Sequence, residues 1–404
     1  MELTLLGTGA PAGLPRAGCP CAACATAVGE EARAATALLV DGVLLLDLLP
    51  GPAFAAARAG QSLQGVRQVV LSHPHDGPAL EIPAGLPAPV RVPDRQELAL
   101  ISGHRVRALA LDSPGTGYLV TGPEGERLLY LPPRAAPAGL DEHSVEGGER
   151  PCDLVLLDVV RRPEALARLR AAGLVGPATD VLAVHLGHEV PPGPEVHRQV
   201  AAAGARAVPD GTTLEVGAYQ EVPDLPRRTL VLGGARSGKS AEAERRLATF
   251  PGVTYVATGG NRPGDADWAA RIAAHRERRP PSWRTEETCD LVPLLTADGP
   301  PLLVDCLALW LTHTMDAVRA WDDTLWQNGG SRELTERTTE LVAALRTTSR
   351  TVVLVSNEVG SGVVPSTPAG RRFRDELGRL NATVAAECEH VLLAVAGTVL
   401  RLRG

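Results

Sequence analysis

The first half of the chain is a succession of short apolar or alternating runs. Residues 2–6, 37–40, 43–47, 68–72, 106–111 and 117–120 read as strands, and 127–131, 153–157, 181–184 and 213–216 continue the series. Helical patterns are few there, at 163–172 and 194–203. Many strands and few helices predict sheets packed on each other with helices outside. From residue 229 the pattern changes. Apolar strands at 229–232, 253–258, 301–305, 351–356 and 391–395 alternate with helical stretches at 241–247, 265–278 and 371–388. That alternation predicts a mostly parallel sheet, with ligands at the strand C-terminal ends. The class expected is α/β in both parts.

A length of 404 suits two domains. The proline-broken connector Glu221-Val-Pro-Asp-Leu-Pro226 separates the two patterns, and the division expected is 1–222 and 223–404. All five tryptophans lie at or beyond Trp268, which supports a change of domain. The net charge of −7, with no basic run, argues against a nucleic-acid surface. No apolar stretch approaches the roughly 18 residues of a membrane span. Met1-Glu-Leu-Thr lacks the basic start of a signal peptide, so a cytoplasmic protein is expected.

One stretch carries explicit chemistry. The strand at 229–232 runs into Gly233-Gly-Ala-Arg-Ser-Gly238-Lys239-Ser240, and a helix-forming segment follows. Strand, glycine-rich loop and helix are the context of a phosphate-binding loop. Its backbone N–H groups, from Gly233, Gly234, Ala235, Arg236, Ser237 and Gly238 onward, converge on one point at a helix N-terminus. Lys239 would reach the β/γ-phosphates and Ser240 would hold magnesium. Lys239 is the single lysine of the chain; every other basic side chain outside histidine is arginine. A coding bias toward arginine explains the missing lysines but not the one kept. A compact ammonium fits beneath phosphates where a planar guanidinium would not.

In the first half, Cys19-Pro-Cys21-Ala-Ala-Cys24 places three of seven cysteines within six residues. The spacing suits a metal better than a disulfide framework; the bland alternative is three buried thiols. A closed zinc site needs a fourth ligand. Further on, Leu71-Ser-His73-Pro-His75-Asp76 ends a strand. With Leu5-Leu-Gly-Thr-Gly-Ala10 and Val40-Asp-Gly-Val-Leu-Leu-Leu-Asp47, it resembles the metallo-β-lactamase superfamily, in particular the phosphonate-pathway cyclic phosphodiesterases. The resemblance spans roughly 1–217. It implies an αββα sandwich and a structural zinc held by Cys19, Cys21, Cys24 and His188 of His185-Leu-Gly-His188. His73, His75 and His185 would belong to the old catalytic centre. Gly77, Pro78, Asp112 and the Pro132-Pro133 pair stand where that family keeps further ligands. Two readings stay open: a folded but hydrolytically silent domain, or one retained metal.

The second half resembles the bifunctional adenosylcobinamide kinase and adenosylcobinamide-phosphate guanylyltransferase family of cobalamin biosynthesis. The carriers are the phosphate loop, Arg271-Ile272 with His275, Arg279-Pro280 with Trp283-Arg-Thr285, Val304-Asp305-Cys-Leu307, Ser356-Asn-Glu-Val-Gly360 with Val364-Pro365, and Arg372-Phe-Arg-Asp375 with Gly378-Arg379 and Asn381. The resemblance implies a RecA-like phosphate-loop fold over 228–404. It implies phosphorylation of adenosylcobinamide by GTP or ATP with magnesium. Transfer of GMP from GTP through a GMP–His275 intermediate would follow. Lys239 would act in catalysis beside His275. Ala257, Thr258, Gly259, Arg276, Glu277, Arg278, Arg279, Glu287 and Asp305 would bind nucleotide or its metal. A homo-oligomer is the family precedent. The rival reading is a metal-dependent phosphodiesterase in the first half with a nucleotide-sensing second half.

Overall fold

The computed structural model describes residues 1–73, 82–140, 150–220, 225–260, 270, 273, 277 and 279–404. The chain forms two compact units, Met1–Leu225 and Pro226–Gly404. The expected border at 222/223 falls within 221–224, outside the described residues.

The first unit contains two sheets. One is built from β1 (Glu2–Gly7), β2 (Ala37–Val40), β3 (Leu44–Leu46), β4 (Gln68–Val70) and the late β11 (Thr213–Glu215), in the order β11-β1-β2-β3-β4. The other holds β5 (Glu97–Ala99), β6 (Arg105–Leu109), β7 (Gly117–Thr121), β8 (Arg127–Tyr130), β9 (Leu154–Leu157) and β10 (Asp180–Ala183), in the order β10-β9-β8-β7-β6-β5. Strand periodicity explains the layering. Leu38, Leu44, Leu46, Tyr130, Leu154 and Leu156 point into one core shared by both sheets. Their neighbours Leu39 and Leu45 point outward, onto Ala56 of the helix Pro52–Arg58. Val155 and Leu157 likewise meet Leu166 and Leu169 of the helix Pro163–Ala171 and Val196 and Val200 of Pro194–Ala202. Central strands are therefore buried on both faces, and read in sequence as continuous apolar runs. This is the expected αββα order of layers.

The second unit has one seven-stranded sheet. Its strands are β12 (Arg228–Gly233), β13 (Thr254–Ala257), β14 (Arg284–Glu287), β15 (Leu302–Asp305), β16 (Val352–Asn357), β17 (His390–Val395) and β18 (Thr398–Arg403), ordered β14-β13-β15-β16-β12-β17-β18. All neighbours are parallel except β17 and β18. The helices Lys239–Leu247, Leu291–Thr296, Leu307–Ala317, Ser331–Thr347 and Pro368–Ala386 share one core with the sheet. The strand β16 between β12 and β15 gives the RecA-like order expected. The last helix begins earlier than residue 371 because Thr367 caps it, its side chain accepting from the Gly370 amide, with Pro368 in the first turn.

Gly7 shows how tightly the first sheet meets its neighbouring segment. A Cβ there would lie 2.1 Å from the Ala35 carbonyl oxygen and 2.9 Å from that of Ala34. Both obstacles are backbone and cannot rotate away. Gly7→Ala should destabilise the chain by about 1–3 kcal/mol. A urea midpoint followed by circular dichroism checks this; an unchanged midpoint would refute the close approach.

Candidate functional site

The phosphate loop leaves the C-terminal end of β12. Gly233 pairs with Asn357 of β16 on one side and Ala394 of β17 on the other. A Cβ on Gly233 would meet the Ser237 Oγ at 2.4 Å and the Ala394 carbonyl at 2.7 Å. Only glycine lets the loop fold back this closely. Gly238 has φ 98°, a left-handed conformation that glycine adopts at little cost. The helix then starts at Lys239. The Lys239 side chain is buried, and its Nζ donates to the Gly234 carbonyl at 3.1 Å. The loop is anchored by two backbone bonds, Glu358 N to Gly233 O at 3.1 Å and Gly397 N to Ser237 O at 3.0 Å.

Asp305 ends β15 and gathers the neighbouring groups. Its Oδ2 accepts from the Ser240 hydroxyl at 3.1 Å and from the Tyr255 hydroxyl at 2.9 Å. Burial, then the Asp305 charge, pushes the Tyr255 phenol far above its ordinary value, so it stays a donor. The Arg279 guanidinium lies 3.7 Å from the Tyr255 ring centroid, a cation–π contact. A hydroxyl and a carboxylate this close beside a phosphate loop are donors that could hold magnesium.

Register brings the expected residues into one row. Asp305 pairs with Ala257, and Ala257 with Glu287, across the ends of β15, β13 and β14. Thr258 locks this row: its hydroxyl donates to the Cys306 carbonyl at 2.7 Å and accepts from the Cys306 amide at 2.9 Å. Ala257, Thr258, Gly259 and Glu287 line a cavity of about 770 Å³. Glu277 is exposed on a helical backbone. His275, Arg276 and Arg278 lie outside the described residues, as do Arg271 and Ile272. Tyr255 was not expected from sequence. Its only signal was a polar aromatic in a strand beside the one ending in Asp305.

The first unit has two clusters of very different character. Cys19, Cys21, Cys24 and His188 bring their ligand atoms within 4.8 Å of one another. The His188 Nδ1 lies 3.2 Å from the Cys19 sulfur and 3.6 Å from each of the others. Backbone amides serve the thiols, Cys24 N to Cys21 Sγ at 3.4 Å and Arg16 N to Cys24 Sγ at 3.3 Å. The Cys24 amide, helped by the Cys19 thiol, lowers the Cys21 pKa to about 6. Three thiols and one imidazole converging this way form a four-ligand set fit for a tetrahedral metal.

A second group of buried side chains, around Asp47, His73 and His185, is instead closed by internal bonds. The fully buried Asp47 accepts from the Ser72 amide at 2.6 Å, the Ser72 hydroxyl at 2.5 Å and the Tyr130 hydroxyl at 2.7 Å. Burial alone would raise its pKa, but bonding to His73 and Ser72 outweighs this and holds the carboxylate low. The His73 Nδ1 sits 3.0 Å from the Ser72 hydroxyl and 3.4 Å from Asp47. His185 is buried, and its Nε2 donates to the Leu131 carbonyl at 3.1 Å. Asp112 accepts from the Ala136 amide and from Arg162 and Arg168, at 3.0, 2.7 and 2.9 Å. His75, Gly77 and Pro78 lie outside the described residues. Among the described residues, the cysteine–histidine set is the one cluster with metal-holding geometry.

The strand order, the glycine-locked loop and the buried lysine define a phosphate-loop α/β fold. A profile described as cobinamide kinase / cobinamide phosphate guanyltransferase matches residues 229–402. The chain is 44% identical over 183 residues to the bifunctional adenosylcobalamin biosynthesis protein CobP of Pseudomonas aeruginosa, which covers 44% of this chain and 98% of that protein. It is 38% identical over 180 residues to CobU of Salmonella typhimurium and 37% over 180 residues to CobU of Escherichia coli, covering 43% of this chain and 98% of each. The chain belongs to the cobinamide kinase / cobinamide phosphate guanyltransferase family, and is therefore a transferase. A nucleotide sensor serving a hydrolase is not favoured. Among solved structures, a diphosphatase of the PhnP family matches with TM-score 0.40 and 20% identity, covering 53% of this chain and 96% of that one. Zinc-bound PqqB from Methylobacterium extorquens matches with TM-score 0.39 and 17% identity, covering 53% and 100%. Values this low carry no functional assignment.

Burial lowers the His185 pKa from its ordinary 6.5 to about 3. The unfolded chain therefore takes up the proton first on acidification. The stability this group contributes is complete above pH 6.5 and is lost as pH falls toward 3, at about 1.4 kcal/mol per pH unit. The difference in unfolding free energy between the parent and His185→Gln should shrink over that window. A difference independent of pH would show that His185 is not held neutral.

Proposed function

We propose that the second unit makes adenosylcobinamide-GDP in two steps and that the first unit turns nothing over. The observation that carries the first step is the loop itself, with Lys239 buried and bonded to the Gly234 carbonyl and Ser240 bonded to Asp305. In the kinase step the substrate hydroxyl oxygen attacks the γ-phosphorus of a nucleoside triphosphate. The bond to the β–γ bridging oxygen breaks and the hydroxyl proton leaves. Lys239 and the loop amides, Gly233 through Ser240, hold the charge spread over the phosphate oxygens. Ser240 and Asp305 would hold magnesium, which supplies further charge neutralisation when bound.

In the transfer step the neutral His275 imidazole attacks the α-phosphorus of GTP and pyrophosphate leaves. A phosphate oxygen of adenosylcobinamide phosphate then attacks the same phosphorus and the P–N bond breaks. Two easier displacements replace one. Arg276, Glu277, Arg278 and Arg279 would hold the nucleotide beside His275, with Ala257, Thr258, Gly259 and Glu287 at the strand ends. The placement of Arg279 on Tyr255, one hydrogen bond from Asp305, supports this grouping. We place the domain border near residue 223 and expect a cytoplasmic homo-oligomer.

For the first unit, the reading is an αββα scaffold stapled by one structural zinc on Cys19, Cys21, Cys24 and His188. His73, His75 and His185 are relics. The support is the internal bonding of His185 to Leu131 and of Asp112 to Arg162 and Arg168.

GTP labelled at the α-phosphate should leave an acid-labile, base-stable adduct on the parent and none on His275→Ala. Full labelling of that variant would put the nucleophile elsewhere. Metal analysis should find about one zinc per chain, lost in Cys21→Ser together with much of the first unit's stability. Two additional ions that disappear with His73→Ala would restore a hydrolytic centre.

A further inference from the structure

The cavity at the ends of β13 and β14 has a wall that the phosphate chemistry does not use. Two helices, Leu307–Ala317 and Ser331–Thr347, complete it. The first contributes apolar surface through Leu309 and the buried Trp310. The second contributes Arg337 and Glu340. These two stand three residues apart on one helix, so their Cβ atoms lie roughly 5–6 Å from each other on the same face. One Arg337 guanidinium nitrogen donates to Glu333 at 2.6 Å, which leaves further N–H groups of its five-donor fork. Glu340 is exposed and has no ion pair among the described residues. The cavity volume, about 770 Å³, lies within the usual range for small-ligand sites.

Which ligand matches an arginine and a glutamate set one helical turn apart, beside an apolar wall? Guanine carries two acceptors, O6 and N7, along one edge and two donors, N1–H and the 2-amino group, along the adjoining one. A guanidinium satisfies the first pair and a carboxylate the second. Adenine presents a donor where guanine has O6, and an unprotonated N1 that would face the carboxylate repulsively. We propose that Arg337 and Glu340 read the guanine base of the GMP donor in this cavity, Arg337 donating to O6 and N7 and Glu340 accepting from N1–H and the 2-amino group. The proposal rests on the reading that Ala257, Thr258 and Glu287, on the cavity's other wall, hold the guanine nucleotide. It adds two specificity-determining residues to that reading.

The test is equilibrium dialysis of the full-length chain against GMP, IMP, AMP and 2-aminopurine riboside monophosphate. IMP keeps O6, N7 and N1–H but lacks the 2-amino group; the aminopurine keeps N7 and the 2-amino group but lacks O6 and, with it, the N1 proton. The parent should bind GMP at least about tenfold tighter than IMP, the scale of one hydrogen bond to a charged group. Glu340→Ala should weaken GMP strongly and IMP less, bringing their ratio near one. Arg337→Ala should weaken GMP and IMP by a similar factor and the aminopurine nucleotide far less. Alanine is a strong helix former, so both variants should keep their circular dichroism. A GMP-to-IMP ratio unchanged by Glu340→Ala would overturn the proposal. So would equal losses for all four nucleotides, or a parent that binds AMP as tightly as GMP. Dialysis involves no covalent step, so this result is decided separately from the labelling of His275.

Discussion

The absence of one side chain governs the working end of the second unit. With any Cβ on Gly233, the Ser237 hydroxyl and the Ala394 carbonyl would have to move, and both belong to the loop's own frame. Because nothing is there, β12 can end and turn under β16 and β17 while remaining bonded to both. The Glu358 and Gly397 amides then fix the loop from either side. The Lys239 side chain has little freedom left, and the helix N-terminus behind it faces the place where phosphates would lie. The rest of the site follows from strand register. Parallel neighbours put Asp305, Ala257 and Glu287 in one row, and the Thr258–Cys306 pair of hydrogen bonds keeps two of those strand ends together.

The first unit holds two clusters of polar side chains that are satisfied in different ways. Buried polar groups need partners inside the protein. Asp47 has taken three donors, His185 a carbonyl, and Asp112 an amide and two arginines. The cysteine–histidine set is the opposite case. Its thiols receive backbone amides and one imidazole and have no substitute acceptor network, so its geometry still converges on a point between four ligands.

Much of this was legible in the sequence, and the misses have physical causes. The ten expected strands of the first unit are present, because central strands of a layered sandwich are apolar on both faces and stand out as runs. Glu97–Ala99 was not expected: it is an edge strand, partly exposed, and has no apolar run. Arg284–Glu287 is another edge strand, mostly exposed and made of charged residues and threonine, which no hydrophobic pattern would reveal. The helix Leu307–Ala317 buries Leu307, Trp310, Leu311, Thr314 and Met315 at helical spacing. Its remaining positions near the start are also apolar, so the contrast that marks an amphipathic helix is weak. The Cys19, Cys21, Cys24 and His188 quartet was accessible only through resemblance, since 163 intervening residues hide a contact from any local pattern. Arg337 and Glu340 belong to no motif in the sequence; only the cavity distinguishes them.

The sheet order also explains how one domain can serve two nucleotide reactions. From β12, which carries the phosphate loop, to β13, which floors the cavity, there are three strand steps through β16 and β15, roughly 14 Å. On the proposed function, phosphate gripping and base reading fall to different parts of the same edge. That separation matches the chemistry. A kinase hands on only its donor's γ-phosphoryl group, so the donor's base leaves no trace in the product, and a loop of backbone amides that ignores the base is sufficient. Guanylyl transfer builds the base into the product. Any base error made at that step is covalently retained, so discrimination has to reside where the nucleotide is held for transfer. A paired donor and acceptor set one helical turn apart can supply it at a distance from the phosphate loop, without altering the loop's geometry.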